Sequence, residues 1–393
     1  MDSSSLIIGL SLAVLISYAF DFLSSRFKTP SVVLLLGLGM TIRQITAYFD
    51  VQIPYVTPTL STLGTIGLIM IVLEGGLDLE LRPEKYGLLR RTALMALVSI
   101  VLTTLLIAGT LFLLLEESFY RCLVNAIPFS VISSAVAIPS VRNLSYGQRE
   151  FVTYETAFSD IIGIMLFNFL LLAQSSVLGA TFTFVRDTIL MALISLICCF
   201  GLLYLIGRIN HQVKFLPIIS VLILVYAVAE SYHLSSLLLI LVFGLFLNNT
   251  ELFIRGRLDK ILKNDLFEKE LEQLKNLTAE GSFVVRTFFF LLFGYAANLP
   301  DLIDPDTLIV SLIFIVIILA VRLLSLRLTF TGPLTPLFWI APRGLITILL
   351  YLSIPDSIKL TGFREGILMM VVIFSALVMM GGVIGYKGRQ DSQ

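Results

Sequence analysis

Long apolar runs separated by short polar stretches dominate the chain. Most runs hold about 20 residues, the length that an α-helix needs to cross the hydrocarbon core of a bilayer. The apolar positions do not alternate over ten-residue stretches, as they would in a membrane β-barrel. Helices satisfy their own backbone groups in lipid. The pattern therefore predicts an all-α polytopic membrane protein with about 13 transmembrane helices, at 6–24, 31–48, 59–77, 91–115, 121–141, 151–174, 187–207, 215–231, 234–249, 282–299, 307–328, 334–354 and 364–386.

Composition excludes a soluble enzyme. Apolar residues make up 57% of the chain and charged residues 14%, whereas a soluble domain carries roughly a quarter charged residues. The outer surface must therefore face the lipid bilayer. The net charge of zero gives no reason to expect a nucleic-acid partner. No basic residue precedes the first apolar run, so we interpret it as a span and not as a secretory signal.

The distribution of basic residues predicts the orientation. Of the 27 Lys and Arg residues, 20 lie in one set of alternate loops and adjoining span ends, and five lie in the opposite set. Cytoplasmic loops carry the excess of Lys and Arg. We therefore expect a multi-pass protein of the cell inner (plasma) membrane, with its N-terminus outside and its C-terminus in the cytoplasm.

The apolar runs also suggest how the chain is organised. We expect a single membrane transport domain over 1–393, with a first half at 1–174, a linking helix at 187–207 and a second half at 215–386. Only eight residues follow Gly385, so no soluble C-terminal domain is expected.

One long polar segment interrupts the second half at 250–281. Leucines recur there at near-helical spacing among Lys and Glu residues, which is typical of an amphipathic helix. We interpret the segment as a cytoplasmic amphipathic linker. The alternative is a regulatory or partner-binding helix.

Two of the predicted spans contain helix-breaking sequences. Residues 133–140 read Ser-Ser-Ala-Val-Ala-Ile-Pro-Ser, and residues 340–344 read Ile-Ala-Pro-Arg-Gly. Both breaks fall in the fifth helix of a half. Matched interrupted helices indicate inverted structural repeats and a transport site where the two broken helices cross at mid-membrane. The alternative is a pair of ordinary proline kinks.

Ionisable residues inside spans are costly and mark functional sites. This chain has Glu155 and Asp160 in one span, Arg322 and Arg343 in two others, and Glu74 near the end of a fourth. Glu155 and Asp160 differ by five positions and so do not share a helix face. One carboxylate can pair permanently with an arginine while the other holds a proton or a cation in competition. In the alternative, both carboxylates are structural partners of the arginines.

The remaining reactive residues suggest neither catalysis nor a cofactor. Cys122, Cys198 and Cys199 lie in or near apolar runs without metal-type spacing, as small apolar residues do. No nucleotide-binding loop, metalloprotease motif or hydrolase motif is present. Transport driven by ATP is therefore not expected, no cofactor is expected, and a membrane-embedded enzyme is the weakest alternative.

Several motifs together resemble the monovalent cation:proton antiporter superfamily, and within it the electroneutral sodium/proton exchangers. Residues 154–160, Tyr-Glu-Thr-Ala-Phe-Ser-Asp, resemble the Glu-Ser-x-x-Asn-Asp helix of that family, and 133–137 lie where exchangers carry Thr-Asp-Pro-Val-Ala. Residues 342–345, Pro-Arg-Gly-Leu, are similar to its Leu-Arg-Gly-Ala motif, and 73–77 resemble its Glu-x-Gly-Leu element. The order and spacing of these motifs extend over nearly the whole chain.

The resemblance implies roles for individual residues. Asp160 would be the shared cation- and proton-binding carboxylate, with ligands from Thr156, Ser159 and the break at Ser133 and Ser134. Glu155 would form a structural ion pair, with Arg322 as first choice and Arg343 as second, and Glu74 would line the entrance. The resemblance also implies a homodimer and elevator-like alternating access, with six spans in a moving core. Sodium is the expected cation, with potassium and lithium as alternatives.

Two departures from the family pattern bear on activity. Ser159 stands where exchangers carry Asn and the electrogenic branch carries Asp, so one titrating carboxylate remains and electroneutral exchange is expected. Ser134 stands where the family carries the Asp of Thr-Asp-Pro. These losses keep open a transport-dead member that acts as a sensor or partner subunit. A potassium-efflux type antiporter is the other alternative, although its Gln and nucleotide-binding tail are missing.

Overall fold

The computed structural model describes residues 11–12, 14–20, 22, 30–49, 56–141, 144–174, 177–208, 215–231, 236–253, 267–330 and 332–386. Every regular element within these ranges is helical. The α-helices, beginning after residue 30, are α1 Ser31–Tyr48, α2 Val56–Asp78, α3 Tyr86–Leu115, α4 Phe119–Ala126, α5 Ser134–Ser140, α6 Tyr146–Leu172, α7 Val177–Arg208, α8 Phe215–Ser231, α9 Ser236–Asn248, α10 Thr250–Phe253, α11 Phe267–Ala296, α12 Leu299–Ile303, α13 Pro305–Thr329, α14 Leu345–Leu352 and α15 Glu365–Gly385.

The all-helical prediction is confirmed. Eight helices in the described part of the chain are long and apolar enough to cross a membrane. The total of thirteen spans stays a prediction, and the first predicted span, 6–24, lies partly outside the described residues. Large apolar side chains remain exposed along several helices, for example Leu113 on α3 and Val316 on α13. Such residues face lipid in a membrane protein.

Both predicted spans are interrupted. The first interruption lies just before the segment that the sequence indicated, because residues 134–140 are helical and Pro139 lies inside that helix. The span predicted at 121–141 consists of α4, a 3-10 turn at Ile127–Phe129, an extended stretch and α5. The span predicted at 334–354 consists of a 3-10 turn at Leu337–Trp339, a non-helical stretch over 340–344 and α14. Proline lacks the N–H that a helical residue donates to the preceding turn. Pro128 and Pro342 stand at these two interruptions.

The chain divides into two compact units. The first comprises residues 1–65, 88–163 and 284–393. Within it, α1 and the C-terminal part of α11 approach each other closely, because a Cβ atom on Gly39 would lie 2.1 Å from the Leu291 carbonyl oxygen. Only glycine fits there. The Arg43 side chain then donates to carbonyls at the C-terminal end of α11, including that of Ala296 at 2.7 Å, where the helix dipole favours a positive charge.

The second unit comprises residues 66–87 and 164–283. Its helices α2 and α9 also meet at glycines, since a Cβ atom on Gly244 would lie 2.9 Å from the Leu73 carbonyl oxygen. Asn249 fixes the chain that leaves α2. Its Nδ2 donates to the Leu79 carbonyl at 2.8 Å, and its Oδ1 accepts from the Leu81 amide at 2.6 Å.

The boundaries of the predicted linker at 250–281 differ from those of the helix that the structure shows there. Residues 254–266 lie outside the described residues, and α11 runs unbroken from Phe267 to Ala296. The proposed end at 281 is therefore not an element boundary, because no proline interrupts the helix there. Leu274 is buried whereas Glu272 and Glu280 are exposed, as expected for an amphipathic helix, but Leu277 is exposed and does not join the apolar face. The role of the segment as a linker stays a prediction.

Candidate functional site

The two interrupted segments touch each other through their backbones. The Ser133 amide donates to the Pro342 carbonyl at 2.9 Å. Gly344 packs against the same residue, because a Cβ atom on it would lie 2.5 Å from Ser133 Oγ and 2.9 Å from Val136 Cγ2. The first compact unit thus brings together the two breaks that the sequence predicts.

A buried carboxylate lies beside this crossing. Asp160, on α6, is only 7% exposed. Ser134 Oγ, at the first residue of α5, donates to its Oδ2 at 2.5 Å. Its Oδ1 is buried and has no hydrogen-bond partner among the described residues. Asp160 takes part in none of the ion pairs formed within that part of the chain. A buried carboxylate with a free oxygen is a place where a proton or a cation can bind.

Three further predicted ligands lie close to Asp160 in sequence or at the break, but their polar atoms have other partners. Ser159 Oγ accepts from the Ile132 amide at 2.9 Å, so this serine secures the first break. Thr156 Oγ1 donates to the Val152 carbonyl at 2.9 Å, one turn back on α6. The Ser133 carbonyl accepts from the Ala137 amide at 3.0 Å. Among these residues and Ser134, the structure gives only Ser134 a direct hydrogen bond to Asp160.

Glu155 lies beside Arg322, the arginine that the sequence ranks first. Arg322 Nη1 donates to Glu155 Oε1, and both side chains are at most 1% exposed. Arg322 Nε also donates to the Leu337 carbonyl at 3.1 Å. The pair therefore ties α6 to α13 and to the turn that precedes the second break.

Arg343 has a different set of partners. Its Nε donates to the Phe129 carbonyl at 2.6 Å, and its Nη1 donates to the Ala341 carbonyl at 3.2 Å. Arg343 therefore cross-links the second break to the turn before the first. No ion pair between Arg343 and Glu155 forms within the part of the chain that the structure describes.

Two residues that sequence reasoning missed support the crossing. Ser375, on α15, accepts the Arg343 amide at 2.9 Å. Asn125, on α4, donates to the Ile358 carbonyl at 3.1 Å in the loop that follows α14. Neither carries a charge or belongs to a motif, so nothing in the sequence distinguishes them from other polar residues of apolar helices.

Glu74, the predicted entrance residue, lies on α2 in the second unit and is half-buried. Its role at an entrance stays a prediction. The described residues contain no cluster of three or more His, Cys, Asp or Glu side chains that would hold a metal ion. A monovalent cation needs no such cluster, so this finding does not affect the Asp160 site.

Comparison with solved structures shows the fold. The structure of the sodium proton antiporter MjNhaP1 from Methanocaldococcus jannaschii at pH 8 is similar, with a TM-score of 0.71, 18% sequence identity and coverage of 98% of this chain and 96% of that chain. An electron-microscopy map of the same antiporter gives a TM-score of 0.73 at 16% identity, with 100% of both chains covered. A search of curated proteins found no match.

A family model decides the assignment. The model described as "Sodium/hydrogen exchanger, transmembrane" matches residues 10–385, which include both breaks and every residue of the candidate site. The family consists of transporters, so the membrane-enzyme alternative is excluded. The resemblance found in the sequence motifs is thereby confirmed, and the chain belongs to the sodium/hydrogen exchanger family.

Proposed function

We propose that the protein exchanges a monovalent cation for protons and that Asp160 binds both in turn. Sodium is the expected cation, with potassium and lithium as alternatives. The observation that carries the proposal is the Asp160 carboxylate, buried at the crossing with Oδ1 free and Oδ2 held by Ser134. A desolvated carboxylate is costly unless a proton or a cation neutralises it. The two ligands therefore compete for one site.

The charge balance favours electroneutral exchange. Protonated Asp160 releases one proton when it takes up one cation, and the reverse happens on the other side of the membrane. Glu155 is held by Arg322, and the neighbour of Asp160 is a serine that accepts an amide hydrogen bond. One titrating carboxylate then moves one positive charge in each direction.

Our expectations for the wider mechanism rest on the family resemblance and on the sequence. We expect elevator-like alternating access, in which the segments that carry Asp160 move while Glu74 lines an entrance. A homodimer in the cell inner membrane is expected, with the N-terminus outside and the C-terminus in the cytoplasm. Halves at 1–174 and 215–386 would be inverted repeats.

The test is cation-induced proton movement in proteoliposomes of the purified protein. Sodium, potassium and lithium salts are added in turn to vesicles that hold a pH gradient, and a permeant-ion control sets the membrane potential. We expect one cation to dissipate the gradient, at a rate independent of the potential. Asp160→Asn should abolish the signal because an amide neither titrates nor offers a charge.

The other outcomes identify the alternatives. If potassium alone moves protons, the chain works as a potassium-efflux type antiporter. If no cation moves protons although the purified protein is folded, the exchanger proposal fails and a partner or sensor subunit is the better account. If Asp160→Asn keeps its activity, the site lies elsewhere.

A further inference from the structure

One peptide group, that between Pro342 and Arg343, is bound at both ends. Its carbonyl oxygen accepts from the Ser133 amide at 2.9 Å. Its N–H donates to Ser375 Oγ, also at 2.9 Å. Because a peptide group is planar and rigid, holding the N–H also sets the direction of the carbonyl. Ser375 on α15 and Ser133 at the first break therefore act on the same rigid unit.

The Ser375 hydroxyl has a fixed orientation. Its own hydrogen is donated to the Val372 carbonyl at 3.0 Å, one turn back on α15. The oxygen lone pairs are left for the Arg343 amide. Ser375 is 4% exposed and Arg343 is 1% exposed, so water does not easily replace either partner. An amide deprived of this acceptor would be buried without a hydrogen bond, which is unfavourable.

A short chain of hydrogen bonds and covalent bonds connects the peptide group to the proposed cation site. The Ser133 amide donates to the Pro342 carbonyl. The next residue, Ser134, donates to Asp160 Oδ2 at 2.5 Å. A rotation of the peptide would lengthen the Ser133 bond and displace the start of α5. Hydrogen bonds weaken steeply as their geometry is lost, and small displacements of a binding group have large effects on a reaction.

We propose that Ser375 is a positioning residue for cation binding, and that it acts through the Pro342–Arg343 peptide group to hold Ser134 against Asp160. This inference rests on the proposed function, because it assigns Ser375 to the Asp160 site. The effect belongs to cation affinity and not to the rate of the conformational step. Ser375 itself does not touch Asp160 by any hydrogen bond of the described residues.

The test compares Ser375→Ala with Ser375→Thr and with a matched control, Ser311→Ala. Ser311 lies on α13 in the same unit, is fully buried and donates to the Thr307 carbonyl of its own helix at 2.6 Å. The exchange rate is measured against cation concentration in proteoliposomes. We expect Ser375→Ala to raise the apparent KM about fivefold to tenfold, the factor that one lost hydrogen bond is worth. The maximal rate of Ser375→Ala should stay near that of the parent protein. The apparent KM of Ser375→Thr and of the Ser311→Ala control should also stay near the parent value.

Hydrogen exchange of the same variants supplies a readout that does not depend on transport. In Ser375→Ala, the peptides that cover 130–134 and 340–344 should exchange faster, whereas in Ser311→Ala they should not. Unchanged exchange in these peptides, or an unchanged KM in an active protein, would overturn the inference. If Ser375→Ala speeds hydrogen exchange but the parent protein transports no cation, then Ser375 does hold the Pro342–Arg343 peptide group and it is the proposed function that fails.

Discussion

Ser134 and Asp160, separated by 26 positions in the sequence, are joined by a hydrogen bond of 2.5 Å from the serine hydroxyl to the carboxylate. Where the resembling exchangers carry an aspartate, this chain therefore offers a neutral donor to the carboxylate. The hydroxyl oxygen also retains lone pairs that a bound cation can use. Replacement of Ser134 should therefore affect cation binding more than replacement of any other polar neighbour of Asp160.

We expect Ser134→Ala to weaken cation binding. The variant removes the donor to Asp160 Oδ2 and one oxygen from the site, so the apparent KM for the cation should rise by about tenfold, as expected for a hydrogen bond to a charged group. Ser134→Thr keeps the hydroxyl and is the control. Initial rates of cation-dependent proton movement give the result, and equal KM values for the parent and Ser134→Ala would exclude Ser134 from the site.

The Glu155 and Arg322 pair should contribute to stability as a unit. Removing one partner leaves a buried charge uncompensated, so Glu155→Gln or Arg322→Met alone should destabilise the protein by about 3–5 kcal/mol. The double variant should lose less than the sum of the two single losses. Thermal unfolding of the purified protein in detergent measures the three variants against the parent. Strict additivity would mean that the two side chains do not interact.

Gly344 should tolerate no larger residue. A Cβ atom there would lie 2.5 Å from Ser133 Oγ and 2.9 Å from Ser133 Cβ, so Gly344→Ala must push the two broken segments apart. We expect the transport rate to fall by about tenfold to a hundredfold, since small misplacements of reacting groups are costly. Gly109→Ala is the matched control, because nothing lies within 4 Å of its added Cβ. A Gly344→Ala protein with parental rates would contradict the close contact.

Asp304, outside the spans, predicts a pH dependence of stability. The Arg364 guanidinium and the Thr307 amide hold the pKa of its carboxyl below the ordinary value of 3.8. A lowered pKa stabilises the folded protein above the unfolded pKa, and this stabilisation is lost as the pH falls through the folded value. Asp304→Ala should therefore lower the melting temperature at about pH 7 and cost progressively less as the pH approaches about 3.

Asp356→Ala is the control for this comparison, since Asp356 is also an exposed aspartate of a connecting segment. It should show no comparable loss at neutral pH. The assay is thermal unfolding in detergent across the pH range. A constant difference between Asp304→Ala and the parent at every pH would mean that the charge of Asp304 contributes nothing to stability.

Hydropathy predicts the positions of helices well where an apolar run meets a polar one. The span predicted at 31–48 coincides with α1, and that at 215–231 coincides with α8. Hydropathy does not locate the start of α11, because residues 267–281 carry many polar side chains and are nevertheless helical. A polar boundary ends a membrane span, but it does not end a helix.

The charged residues of the candidate site could be predicted because buried charges and broken helices cost free energy, and the pairing of Glu155 with Arg322 was expected as well. The partners of Arg343 and the role of Ser375 could not be predicted. Arg343 and Phe129 are 214 positions apart, and no local rule pairs an arginine with a distant carbonyl. Ser375 is an ordinary serine in an apolar helix, and only its contact with the Arg343 amide distinguishes it.

The contact between Ser133 and Pro342 is made entirely by main-chain atoms. This hydrogen bond therefore does not depend on which side chains residues 133 and 134 carry. Serines can replace the threonine and aspartate of related exchangers while the two segments continue to meet. The main-chain contact and the ion chemistry are thus separable in this protein, and a designer who seeks a new ion preference can vary residue 134, whereas the side chain of residue 133 is confined by Gly344.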